Sequence, residues 1–109
     1  MPGVVTFSTF PSAEKAAEVA RTLVDERLAA CVNLIPNVRS IYRWNDQLCD
    51  EAETLAVIKT TEDRVAPLTA RLIALHPYEL PEAVALRVTA GNAPYLAWIA
   101  EATTPLADK

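Results

Sequence analysis

The tract from Ala30 to Trp44 restricts the possible folds of this chain more than any other, because it is strand-like for longer than a small sheet can use. Its fifteen residues would span about 50 Å if extended, against about 17–20 Å for a typical strand. Ala30 to Ile35 is a nearly continuous apolar run, as expected of a strand buried on both faces. Pro36 interrupts the ladder there, since it has no N–H to donate. Alternation then resumes, with Val38, Ser40, Tyr42 and Trp44 on one face and Arg39, Ile41 and Arg43 on the other. Asn45-Asp46 supplies a polar turn, after which Gln47 to Cys49 can return antiparallel. Asp50-Glu51 reads as a bulge or short loop before Glu53 to Thr60. A hairpin of this length carries an aromatic face past the local fold and calls for a partner subunit to receive it.

The rest of the chain is of ordinary domain size. Its 109 residues suit one domain, residues 1–109, with one core. Apolar residues make up 51% and charged residues 22%, and no apolar run reaches the length of a membrane span, so a soluble folded protein is expected. The N-terminal Met1-Pro2-Gly3-Val4-Val5 has no basic, cleavable apolar leader, and the two cysteines sit in strand-like contexts. Both points favour a cytoplasmic setting. A net charge of −4 opposes nonspecific phosphate binding, which needs clustered Lys and Arg. Nucleic acid is therefore not an expected partner, and neither is a membrane.

Val4 to Phe10 reads as a first strand closed by Pro11. Ser12 caps a helix whose stripe runs Ala16, Ala20, Leu23, Val24 and Leu28, with Glu14 at its positive end. A second helix carries Val65, Leu68, Leu72 and Leu75. Pro67 predicts a tight or 3₁₀ opening turn with regular helix from about Ala66, and Pro77 ends it. Ala83 to Thr89 reads as the last core strand, and Ala93 to Glu101 as a short third helix after the turn and cap at Gly91-Asn92. The order strand, helix, strand, strand, helix, strand, helix is the split βαβ plan of an α+β, ferredoxin-like sandwich with an extended hairpin and a short C-terminal helix. Two helices cover one face of such a sheet. Val32, Leu34, Val57 and Val84 offer apolar side chains on both faces, so the uncovered face predicts another protein layer.

Candidate functional residues divide between chemistry and packing. Cys31 lies among apolar residues, where a thiol commonly serves as a small buried hydrophobe. His76, at a helix end, can cap terminal carbonyls or ligate a metal. Copper-like ions accept thiolate and imidazole, but stable sites collect three or four ligands and no local metal-binding spacing occurs. Cys31, His76 and Glu79 would have to converge through the fold or an interface. Pro77 and Pro81 stiffen a loop bearing Tyr78, Glu79 and Glu82, which can line a pocket or serve packing. Tyr42 and Trp44 suit subunit packing or an aromatic ligand cleft. A thiolate–imidazole catalytic pair is disfavoured, since burial raises a thiol's pKa and no Gly-rich oxyanion loop is present, so no enzymatic activity is expected.

Ala30-Cys31-Val32-Asn33-Leu34-Ile35-Pro36-Asn37-Val38, Ser40-Ile41-Tyr42-Arg43-Trp44, Lys59-Thr60, His76-Pro77-Tyr78-Glu79, Pro81-Glu82 and Gly91-Asn92 with Tyr95-Leu96-Ala97-Trp98 resemble, in order, the successive signatures of the CutA family of divalent-cation tolerance proteins. The resemblance implies a ferredoxin-like subunit in a tight homotrimer, with long hairpins reaching onto neighbours, and a role in tolerance of metals such as copper. It places Cys31 and His76 at positions implicated in metal binding and implies no obligatory cofactor beyond a possible bound copper or other divalent ion. Asn37 departs from the glycine common in the family, and asparagine tolerates the left-handed region. The architecture also resembles trimeric PII-type signal proteins with effector clefts between subunits. By that analogy Lys59, Tyr78 and Glu82 would line a small-ligand cleft.

Overall fold

The computed structural model describes residues 2–106. The elements run β1 (Gly3–Phe10), α1 (Ala13–Asp25), β2 (Cys31–Trp44), β3 (Gln47–Thr61), a 3₁₀ turn (Glu62–Arg64), α2 (Val65–Leu75), β4 (Val84–Arg87) and α3 (Ala93–Ala102). The Ser12 side chain accepts the Lys15 N–H to cap α1. That helix ends in a Schellman motif: the Arg27 N–H donates to the Val24 carbonyl and the Leu28 N–H to that of Leu23. Arg27 takes the left-handed conformation this requires (φ 60°). The 3₁₀ turn ahead of Pro67 is the tight opening expected from that proline, and it lets α2 begin at Val65.

The sheet order is β2-β3-β1-β4, with all pairings antiparallel. Strand β3 pairs with β1 from Thr61 to Thr54, while its first half, Gln47 to Glu53, pairs only with β2. That half of the hairpin projects as a two-stranded arm, and the described chain measures 48 × 33 × 21 Å. Asn45 and Asp46 both have positive φ, 49° and 60°, as a two-residue type I′ turn demands. The bulge lies elsewhere than expected. Asp50 and Glu51 stay in regular pairing with Ile41 and Ser40, whereas Pro36 and Asn37 together oppose the single residue Thr54. Proline cannot donate to the ladder and Asn37 accepts φ 60°, so this pair absorbs the extra residue at little cost.

Phe10, Ala56, Ile58, Leu68 and Leu72 pack with Ala16, Val19 and Leu23 of α1 in one core between the sheet and helices α1 and α2. Val19 fills the position in the helical stripe that Val24 was expected to share; Val24 is exposed, and Leu28 reaches the core as the residue closing the Schellman motif. Two strand expectations are also corrected. The Cys31–Ile35 segment is an edge strand, half-buried to exposed, and β4 is a short, exposed edge rather than a core strand. Both therefore present an open backbone edge.

The second sheet face carries Val5, Phe7, Leu55 and Val57, all half-buried, beside the exposed Ile35, Val84 and Leu86. Helix α3 covers only one end of this face. Its Tyr95 meets Lys59, its Leu96 lies beside Gly3, and Thr103 at its end meets Thr61. Arg27 donates to the carbonyls of Glu101 and Thr104 at the end of α3. Among the described residues no helix is long and apolar enough to cross a membrane.

Asn37→Val, which forces a β-branched residue into the left-handed region, is expected to lower stability by about 1–2 kcal/mol. Asn37→Gly should not lower it. Urea unfolding of both variants beside wild type measures the difference.

Candidate functional site

The sequence residues singled out for function separate into two groups at opposite ends of the sheet. Cys31 stands opposite Lys59, and Lys59 opposite Val5. There the Lys59 ammonium contacts the Tyr95 hydroxyl at 3.2 Å and lies 5.4 Å from the Tyr95 ring centroid. The Cys31 thiol is half-buried, with only a long 3.8 Å contact to the Asn33 side chain. His76 contacts Thr9, four residues along β1 from Val5, which separates it from Cys31 by about 13 Å along the strand direction alone. One chain does not bring Cys31 and His76 together. Among the described residues, no three His, Cys, Asp or Glu side chains are placed to hold a metal ion.

His76 has a structural task that uses both ring nitrogens. Its Nδ1 accepts the Tyr78 N–H at 3.1 Å. That leaves the proton on Nε2, which donates to the Thr9 carbonyl at 2.8 Å. The ring stacks on Phe10 at 4.3 Å and is 8% exposed. Burial is the main influence on its pKa and holds it below the usual imidazole value, against the smaller opposing effect of the Thr9 carbonyl. The His76 N–H also bonds the Leu72 carbonyl, closing α2 before Pro77. A metal at Nδ1 would displace the Tyr78 N–H, and one at Nε2 the bond to Thr9.

Anchored in this way, the loop after α2 faces the hairpin arm across a cleft of about 590 Å³. The sheet side contributes Thr9, Ser40, Tyr42, Trp44, Glu51 and Glu53, and the loop contributes Tyr78, Glu79, Leu80 and Glu82. The Tyr78 hydroxyl donates to Glu53 at 2.6 Å, and that of Tyr42 to Glu51 at 3.0 Å. Glu53 is 7% exposed. The bond to Glu51 pushes the Tyr42 phenol up to about 12, while burial first and then the Glu53 carboxylate push Tyr78 up as well. Both phenols therefore stay neutral donors across the physiological range.

Residues expected in different roles, Tyr42 and Trp44 at an interface, Tyr78 and Glu82 at a ligand and Glu79 at a metal, thus share one cleft. Lys59 does not join them. Glu51 and Glu53 are the cleft carboxylates that sequence reasoning missed. The available signal was their spacing, which puts both on the β3 face opposite Ser40 and Val38.

Residues 4–102 match the family model described as "CutA1 divalent ion tolerance protein". The chain is 48% identical over 99 residues to a divalent-cation tolerance protein CutA of Thermus thermophilus, covering 91% of this chain and 96% of that one. It is 44% identical over 110 residues to human Protein CutA, covering 99% of this chain but only 62% of the longer human protein. Among solved structures, a Cut A1 from Thermus thermophilus superposes with a TM-score of 0.90 at 46% identity, covering 94% of this chain and 99% of that chain. Xylella fastidiosa CutA gives a TM-score of 0.92 at 41% identity, covering 95% of this chain and all of the other.

Because the unfolded imidazole takes up a proton near its ordinary 6.5 while the folded one resists it, the unfolded state binds more protons below that pH. Stability should accordingly fall as pH drops from 6.5 toward the lowered folded pKa. As the chain has a single histidine, an NMR titration alongside urea midpoints at several pH values tests this directly. Tyr78→Phe, which strips the buried Glu53 of its donor, should cost about 1–3 kcal/mol in the same unfolding assay.

Proposed function

The chain belongs to the CutA1 divalent ion tolerance family, and on that premise we propose that it acts as a non-enzymatic cytoplasmic homotrimer that binds copper-like or other divalent ions in metal tolerance or response. The observation that carries the assembly is the apolar second sheet face, where Val84 and Leu86 are 51% and 52% exposed beside half-buried Phe7 and Val57. A face of this kind, continued by the aromatic arm, favours burial against copies of the same chain. Cation binding in this reading depends on donors from more than one subunit, since the described residues of one chain gather no three. Among the described residues the Cys31 thiol and the Glu79 carboxylate are the candidates with no competing strong bond, while His76 would join only by giving up one of its two.

A second reading is favoured by the cleft itself. Its 590 Å³ lies within the range of small-molecule sites, and its lining combines aromatic rings with a few polar groups. In that reading the protein is a trimeric sensor of a small ligand.

Sedimentation equilibrium at micromolar concentration should give a trimer; a persistent monomer rejects the assembly. Trp44→Ala should weaken association by about 2 kcal/mol or more, seen as a steeper concentration dependence of melting. Calorimetric titration should show copper preferred over magnesium, with binding about tenfold weaker or more in Cys31→Ser. Copper binding unchanged in a Cys31→Ser, His76→Ala double variant would remove both residues from the site.

A further inference from the structure

We propose that the cleft between the hairpin arm and the His76–Glu82 loop binds a small organic cation with an ammonium or guanidinium head, held by Glu53 and Glu51 beside the rings of Trp44 and Tyr42. This inference rests on the small-ligand reading of the same cleft and names the chemistry of the ligand.

Charge supplies the first argument. The lining includes the carboxylates of Glu51, Glu53, Glu79 and Glu82 and no lysine, arginine or histidine. An anionic ligand would enter against this field, whereas a cation is drawn into it.

The second argument comes from Glu53 alone. A carboxylate only 7% exposed ordinarily has a cationic partner, because desolvating a lone charge is costly. Among the described residues the ion pairs join Lys15 to Glu18, Arg39 to Asp50, Arg71 to Glu26 and Arg87 to Glu62, and none includes Glu53. Its Oε2 accepts the neutral Tyr78 hydroxyl, and among the described residues no side chain donates to its Oε1; Glu53 itself lines the cleft. Glu53 is thus largely buried and oriented with no counter-charge from the described residues of its own chain.

The kind of cation follows from the remaining lining. A bare divalent ion needs several converging oxygen ligands, and the carboxylates here do not form such a group. It also gains nothing from indole and phenol rings. An alkylammonium or guanidinium group uses both features, since it hydrogen-bonds carboxylates and is attracted to aromatic faces while its alkyl part lies against apolar surface such as Leu80.

Calorimetry on the assembled protein, with butylguanidinium as probe and butylurea as its neutral isostere, tests the assignment. Butylguanidinium should bind, unaffected by EDTA, and butylurea should bind about tenfold more weakly or worse. Glu53→Gln, which keeps an acceptor for Tyr78, should weaken butylguanidinium about tenfold or more. Trp44→Leu, compared at concentrations where sedimentation shows the same assembly as wild type, should weaken it several-fold. Glu18→Gln, which removes one negative charge on α1 outside the cleft, should leave it unchanged. Should Glu53→Gln fail to fold, a several-fold loss in Glu51→Gln supports the site and wild-type affinity there overturns it. Equal binding of the two probes overturns the cation assignment, as does a requirement for added metal. Binding of ADP with NMR shifts at Trp44 and Tyr78, without binding of butylguanidinium, overturns the cation assignment and leaves the ligand cleft standing. Absence of shifts there with either probe ends both readings.

Discussion

Strand β3 has two hydrogen-bonded neighbours over its second half and one over its first, and everything distinctive about this molecule follows from that change. From Thr54 onward the strand lies in a sheet backed by α1 and α2. Before it, the chain has only β2 beside it, and a two-stranded ribbon is marginal in water. The ion pair of Arg39 with Asp50 on the arm is bidentate but exposed, so it adds little. The arm keeps its direction chiefly because it continues a strand already ordered by the core.

The second wall of the cleft is ordered by a different device. His76 ties the loop to β1 through Thr9, stacks on Phe10 and holds the Tyr78 backbone, and the Tyr78 side chain then crosses to Glu53. A neutral imidazole suits this task because it donates with one nitrogen and accepts with the other. Protonation, or a metal at Nδ1, would remove the acceptor for the Tyr78 N–H, and a metal at Nε2 would remove the donor to Thr9. The residue most suggestive of metal chemistry in the sequence is thereby also the residue whose neutrality holds the loop against the sheet.

Much of this was legible in the chain because it is encoded locally. The alternation of Val38, Ser40, Tyr42 and Trp44, the break at Pro36, the cap at Ser12 and the tight turn ahead of Pro67 each state their geometry within a few residues. What could not be read depends on distant partners. The bulge falls on Pro36-Asn37 rather than Asp50-Glu51 because a two-against-one mismatch is a property of pairing register, set between strands. The same holds for His76, whose partner Thr9 lies 67 residues away. Val19 displaces Val24 in the core because the orientation of α1 on the sheet, set by packing, chooses between adjacent positions of one stripe. Glu51 and Glu53 were hidden for a related reason: with Glu51 taken as bulge or loop, the face it shares with Glu53 has no meaning.

The Pro36-Asn37 bulge also acts as a parity switch. Before it, the odd-numbered residues Cys31, Asn33 and Ile35 share the second sheet face with Leu55 and Val57; after it, the even-numbered Val38, Ser40, Tyr42 and Trp44 share that side with Glu53 and Glu51. Were pairing to continue past this point in the Ile35–Leu55 register with no bulge, Asn37 would lie opposite Glu53, Arg39 opposite Glu51 and Ile41 opposite Cys49. Glu51 would then face an arginine on the neighbouring strand, and Tyr42 and Trp44 would turn to the opposite side of the arm. A one-residue step in the register of a surface ribbon is therefore what gathers the carboxylates and the aromatic rings on one side of it.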